Sequence, residues 1–157
     1  MRILGIDPGT HRIGWGIINK SGSDSALVAS GVIELPPHTA EPIYLQALYQ
    51  QLKALLTEHK IDLVAIEKLF FQTNVKTAIT VAEGRGVILL AVAESKIPFV
   101  EFSPNTIKSA VAGDGNADKS AVTRMVSLTL KCDTSKMLDD TCDALAVALT
   151  ASTNHRL

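Results

Sequence analysis

Two apolar runs, each closed by an acidic residue, limit what this chain can fold into. Ile3-Leu4-Gly5-Ile6 leads directly into Asp7, and Ile61-Asp62-Leu63-Val64-Ala65-Ile66 into Glu67. Short apolar runs of this kind read as buried strands. A carboxylate at the inner end of a core strand is costly unless something pairs with it. After Asp7, Pro8 presets one turn dihedral and Gly9 supplies the permissive one, and Ile13 to Ile18 then resumes an extended pattern, so a hairpin is expected. The simplest role for Asp7 is to cap that turn by accepting backbone N–H groups. Whether it has other partners depends on the rest of the chain.

Ala26 to Leu35 reads as a third strand, ended by Pro36-Pro37. From Glu41 to Lys60, Ile43, Leu45, Leu48, Leu52, Leu55 and Leu56 recur near helical spacing between glutamines and Lys53, an amphipathic surface helix. Beyond Glu67 lies a polar loop with adjacent Phe70 and Phe71. A long helix from about Val75 to Glu94 follows, containing Gly84-Arg85-Gly86. Its second half is apolar all round, which predicts cover on both faces, by its own sheet and by a partner. Phe99 to Phe102 is a short strand, and Ser103-Pro104 opens a brief helix carrying Lys108. Gly113-Asp114-Gly115-Asn116 breaks that helix, Lys119 sits in the first turn of the next, to about Lys131, and a final helix spans about Met137 to Ser152. Strands alternating with helices after an antiparallel start predict an α/β fold: a mixed five-stranded sheet flanked by helices, in a single domain over 1–157 with its ordered core at about 1–152.

Composition removes several function classes. Cys132 and Cys142 are too few for a disulfide framework and lie at no zinc spacing with His11, His38, His59 or His155. The longest apolar run, Val87 to Ala93, is far short of the roughly 18 residues that span a bilayer, and Asp7 interrupts the N-terminal run before a signal sequence could form, so a cytoplasmic protein with no membrane partner is expected. The net charge of -1 argues against binding by bulk positive charge. With four acids neutralised by cations, however, 15 basic residues would face 12 acids, so nucleic acid remains a possible partner.

The chemistry lies in the acids. If the strands ending in Asp7 and Glu67 are parallel neighbours, the two carboxylates meet at the sheet edge where such folds place their sites. On the final helix, Asp140 and Asp143 share a face, roughly 60° apart on the wheel; Asp139 and Asp143 are only about 40° apart. Helical geometry alone does not choose between Asp139 and Asp140. Two carboxylates 4 Å apart repel by about 4 kcal/mol at an effective dielectric near 20, so a converging quartet needs cations. Oxygen-only ligands select Mg²⁺ or Mn²⁺ over zinc, and a pair of such ions is the arrangement that hydrolyses phosphodiesters. The competing explanation is that the helix acids only favour its positive N-terminal end, worth about 0.3 to 1 kcal/mol each.

Taken in order, Asp7-Pro8-Gly9-Thr10, Gly14-Trp15-Gly16, Glu67 with Leu69-Phe70, Gly84-Arg85-Gly86 and Asp140-x-x-Asp143-Ala144-Leu145-Ala146 closely resemble the RuvC family of Holliday junction resolvases, over residues 1 to about 150. The resemblance implies a ribonuclease H-like fold with Asp7, Glu67, Asp140 and Asp143 as ligands of two Mg²⁺ ions per subunit, Mn²⁺ substituting, and it selects Asp140 over Asp139. It implies Lys108 and Lys119 at basic positions facing DNA and the scissile phosphate, Phe70 stacking on bases at the opened junction centre, and Arg85 as a further DNA-binding position. It also implies a homodimer that makes paired nicks in four-way junction DNA, with RuvA and RuvB branch-migration proteins as partners. The chain departs from the family pattern at Ala121, where a Gln is frequent, and Asp114 and Asp118 place negative charge near Lys119. Two other classes compete with this one. The Asp7-x-Gly-Thr loop also resembles that of actin-like ATPases, which need a second lobe and phosphate loop for which this chain has no length, and a non-catalytic binding module would not need four acids.

Overall fold

The computed structural model describes residues 1–10, 12–34, 39–68 and 75–154. Ten elements follow one another: β1 (Arg2–Pro8), β2 (Arg12–Ser21), β3 (Asp24–Glu34), α1 (Glu41–Glu58), β4 (Leu63–Glu67), α2 (Val75–Glu94), β5 (Phe99–Phe102), α3 (Pro104–Ala112), α4 (Lys119–Leu130) and α5 (Asp139–Asn154). The sheet runs β3-β2-β1-β4-β5. Its first three strands form an antiparallel meander, and β4 and β5 join parallel to β1 and to each other. The expected mixed five-stranded sheet is therefore present. Ile6 stands opposite Ile66, which puts Asp7 and Glu67 side by side, one step further along two parallel strands.

Alternation along the strands sorts the core into two layers, since successive side chains point to opposite faces. Leu4, Ile6, Val64 and Ile66 pack under α1 and α2 with Leu48, Leu52, Ile88 and Val92. Ile3, Leu63 and Ala65 pack on the other face with Ile107, Val126 and much of α5. Asp7 and Glu67, by the same alternation, face the α5 side.

Several element ends differ by one or two residues from the sequence reading, and two of the starts have a visible cause. β4 begins at Leu63 rather than Ile61, because the Asp62 carboxylate accepts the Arg2 backbone N–H at 2.7 Å and the Asp62 N–H donates to the Arg2 carbonyl at 2.9 Å. α5 begins at Asp139 rather than Met137, with the Leu138 carbonyl accepting from the N–H groups of Thr141 and Cys142. α5 is the helix enclosed on all sides: from Thr141 to Ser152 every residue but Asp143 is buried. In the single chain α2 keeps an open outer face, with Ile79 56% and Leu90 53% exposed.

The close seating of α5 depends on glycine. A Cβ on Gly5 would overlap the Ala144 carbonyl oxygen, and one on Gly14 would overlap that of Asp140. Without those side chains the backbone of α5 lies directly on β1 and β2, and its acidic first turns are carried to the sheet edge where β1 and β4 end.

Candidate active site

The sheet edge collects charge of both signs from separate elements. Asp7 comes from β1, Glu67 from β4, Asp140 and Asp143 from α5, Lys108 from α3, and Lys119 from the first turn of α4. A cavity of about 280 Å³ is lined by Glu67, Lys108, Lys119 and Asp143 and walled by Pro104, Ile107, Val122 and Ala146. The Lys119 ammonium lies 2.9 Å from Asp143 and 3.3 Å from the exposed Asp139. Burial alone would lower the Lys119 pKa, but hydrogen bonds and charge from Asp143, then Asp139, push it above its usual value.

Asp7 carries the strongest perturbation in the site. Burial first, then the charges of Glu67, Asp143 and Asp140, raise its pKa from 3.8 to about 7, with Lys119 acting in the opposite sense. Glu67 is raised for the same reasons, by burial and then by Asp143, against the lowering effects of Lys119 and Lys108. The acids are thus close enough to feel one another through a partly desolvated edge. Asp140 is among the charges acting on Asp7 and Asp139 is not.

One contributor was not visible in the sequence reading. Arg12, at the start of β2, places its Nε 3.1 Å from Asp140 Oδ2. That oxygen is itself buried and accepts no hydrogen bond, so Arg12 approaches as a charge without aiming an N–H at it. The available signal was an arginine opening the strand that follows the Asp7 turn, two residues before the Gly14 that receives α5.

The described side chains hold no ready-made cluster of three metal-ligating groups. Arg12 and Lys119 instead take up part of the acids' charge. The donor set nevertheless suits a hard cation. It is all carboxylate oxygen, it includes the unsatisfied Asp140 Oδ2, and its mutual repulsion is what a divalent ion would relieve.

The remaining sequence candidates lie elsewhere. Arg85, on α2, pairs with Glu101 of β5. Val100 and Phe102 join the core layer under α5, so Glu101 points to the opposite face of the sheet, toward α2. Phe70 lies outside the described residues. Asp118 and Asp114 have local structural uses: Asp118 caps α4 by accepting from the Ala121 N–H at 2.7 Å, and Asp114 accepts from the Asn116 N–H at 2.9 Å. No helix among the described residues is long and apolar enough to cross a membrane.

Residues 3–151 match the family model described as "Crossover junction endodeoxyribonuclease RuvC". A protein of that name from Chloroflexus aggregans is 46% identical over 149 residues, 95% of this chain and 91% of the relative. One from Thermosipho melanesiensis is 44% identical over 148 residues, 94% of each chain. Among solved structures, T. thermophilus RuvC in complex with Holliday junction substrate superposes with a TM-score of 0.91 at 29% identity, covering 97% of this chain and 93% of that one.

Proposed function

This chain belongs to the RuvC family of crossover junction endodeoxyribonucleases, and from that premise we propose that it resolves four-way (Holliday) DNA junctions by paired symmetric nicks, in DNA recombination and repair. The observation that carries the reading is the convergence of Asp7, Glu67, Asp140 and Asp143 at a partly buried edge, where burial first and then the charges of the other three acids raise the Asp7 pKa to about 7. An edge so costly to leave uncompensated suits divalent cations. We assign the four acids as their ligands, with Mg²⁺ as the ion, two per subunit, and Mn²⁺ able to substitute. When bound, the ions would supply Lewis-acid stabilisation of the attacking and leaving oxygens of the phosphodiester.

The chain's own residues do the positioning. Lys119, between the acids and the open surface, offsets negative charge that develops on the scissile phosphate. Its present contacts with Asp143 and Asp139 hold it at that point. Lys108, across the same cavity, faces the DNA backbone. Phe70 is assigned to stack on bases at the opened junction centre, an interaction worth about 1 to 3 kcal/mol per base. Arg85 is also assigned to the DNA-binding set, where its pairing with Glu101 fixes α2 against β5.

Two strands must be cut at a junction, and each chain carries one site, so the working unit is a homodimer. The exposed face of α2, with Ile79 and Leu90, is its seam. The single domain acts in the cytoplasm, with RuvA and RuvB as branch-migration partners. Incubating the protein with synthetic four-way junctions and with linear duplex, with and without Mg²⁺, tests the reading. Symmetric nicks only in the junction, and only with Mg²⁺, are expected. Equal cutting of both substrates would refute it.

A further inference from the structure

A second surface feature continues from the site. Lys119 lines the catalytic cavity and also one end of an open groove of about 570 Å³ along α4, whose other walls include Ser120, Thr123, Arg124, Ser127 and Thr134. Ser120, Thr123, Arg124 and Ser127 fall at i, i+3, i+4 and i+7, one face of the helix. Val122, Val126 and Leu130 bury the other. A solvated helix face commonly carries acid–base pairs at these spacings. α4 has no acid in its whole length. Arg124 is exposed and enters no ion pair among the described residues. The single acid on the groove wall, Asp139, is already held by Lys119 at 3.3 Å.

Resting on the nuclease reading above, we infer that this groove holds the sugar-phosphate backbone of the strand flanking the scissile phosphate, with Arg124 as its principal charged contact and the hydroxyls of Ser120 and Thr123 as neutral donors. Arginine and Ser/Thr hydroxyls are the side chains that meet phosphate oxygens without reading sequence. The face from Ser120 to Ser127 rises roughly 10 Å, about the rise of three nucleotides along one B-form strand. Because Lys119 belongs to both walls, a strand leaving the cavity enters the groove without crossing an unpaired acid. Arg124 is thus a positioning residue that sets the register of the cut strand and is not a group that touches the reacting atoms.

The test is fluorescence anisotropy of a labelled four-way junction and a labelled linear duplex in EDTA, for the wild type, Arg124→Gln and Arg124→Lys, between 50 and 200 mM NaCl. Losing one phosphate contact lowers the slope of log affinity against log salt by about 0.9, so the deficit of Arg124→Gln should shrink about 3.5-fold across that range. Arg124→Lys should restore most of the slope. The loss should also appear in KM for junction cleavage rather than in kcat, with the thermal midpoint unchanged. A salt slope identical to wild type, or a deficit confined to kcat, overturns the assignment, and the groove would then be free for a protein partner. If the wild type bound DNA but cut no junction, the resolvase reading would fall while the slope measurement on duplex still decided the role of Arg124.

Discussion

Replacing Asp7 by Asn should make the metal-free protein more stable, and the size of the effect follows from the site. Folding raises the Asp7 pKa from 3.8 to about 7, chiefly by burial and then by Glu67, Asp143 and Asp140. Below pH 3.8 both folded and unfolded chains carry the proton and there is no penalty. Between about 4 and 7 the unfolded chain releases it first, so stability falls as pH rises, and above 7 the penalty is complete. At about 1.4 kcal/mol per tenfold change in proton affinity, the ceiling is about 4 kcal/mol. Screening at the partly open edge brings this to roughly 2 to 4 kcal/mol. Asn stays neutral at every pH. In EDTA at pH 8, Asp7→Asn should therefore melt roughly 5 to 10 °C above wild type, and the gap should close toward pH 4. Mg²⁺ should raise the midpoint of wild type and leave the variant almost unmoved. Parallel melting curves across the whole pH range, or a variant less stable at pH 8, would refute the argument that the acids repel one another across a desolvated edge.

Other perturbations separate the remaining claims. Gly14→Ala sets a Cβ against the Asp140 carbonyl; calorimetry should show a loss of about 1 to 3 kcal/mol, and junction cleavage should fall by more than the stability change explains, because α5 is displaced with its acids. Arg12→Gln removes a cation competing for Asp140; Mn²⁺ titration should show tighter binding than wild type, with stability changed by no more than about 1 kcal/mol at this half-exposed pair. Leu90→Glu puts a charge on the exposed α2 face, and sedimentation should show the dimer shifted to monomer while the fold persists.

The acid-ended strands were readable because their signal is local. A short apolar run and a terminal carboxylate are present in each, and parallel pairing in register then forces Asp7 beside Glu67. The choice between Asp139 and Asp140 was not readable from the helix wheel, since it depends on how α5 is turned against the sheet. That rotation is set by contacts between Asp140 and Gly14 and between Ala144 and Gly5, across most of the chain. Arg12 escaped for the same reason: its partner Asp140 lies on the last helix. The sequence reading expected cover on both faces for the second half of α2, one of them from a partner, and in the single chain that outer face is open; the enclosure of α5 was the part it did not foresee. The helix buried on all sides is α5, whose Ala, Thr and Cys side chains give a weaker hydrophobic signal but permit closer packing.

The measurement that bears most directly on the central claim is made on Asp7→Asn with a four-way junction, recording binding in EDTA and single-turnover cleavage in Mg²⁺ on the same preparation. Asp7, Glu67, Asp140 and Asp143 acting together as the cation site predict junction binding close to wild type and a cleavage rate lower by on the order of 10³ or more. Cleavage retained at the wild-type rate would remove Asp7 from the site and with it the explanation for an acid at the end of that buried strand.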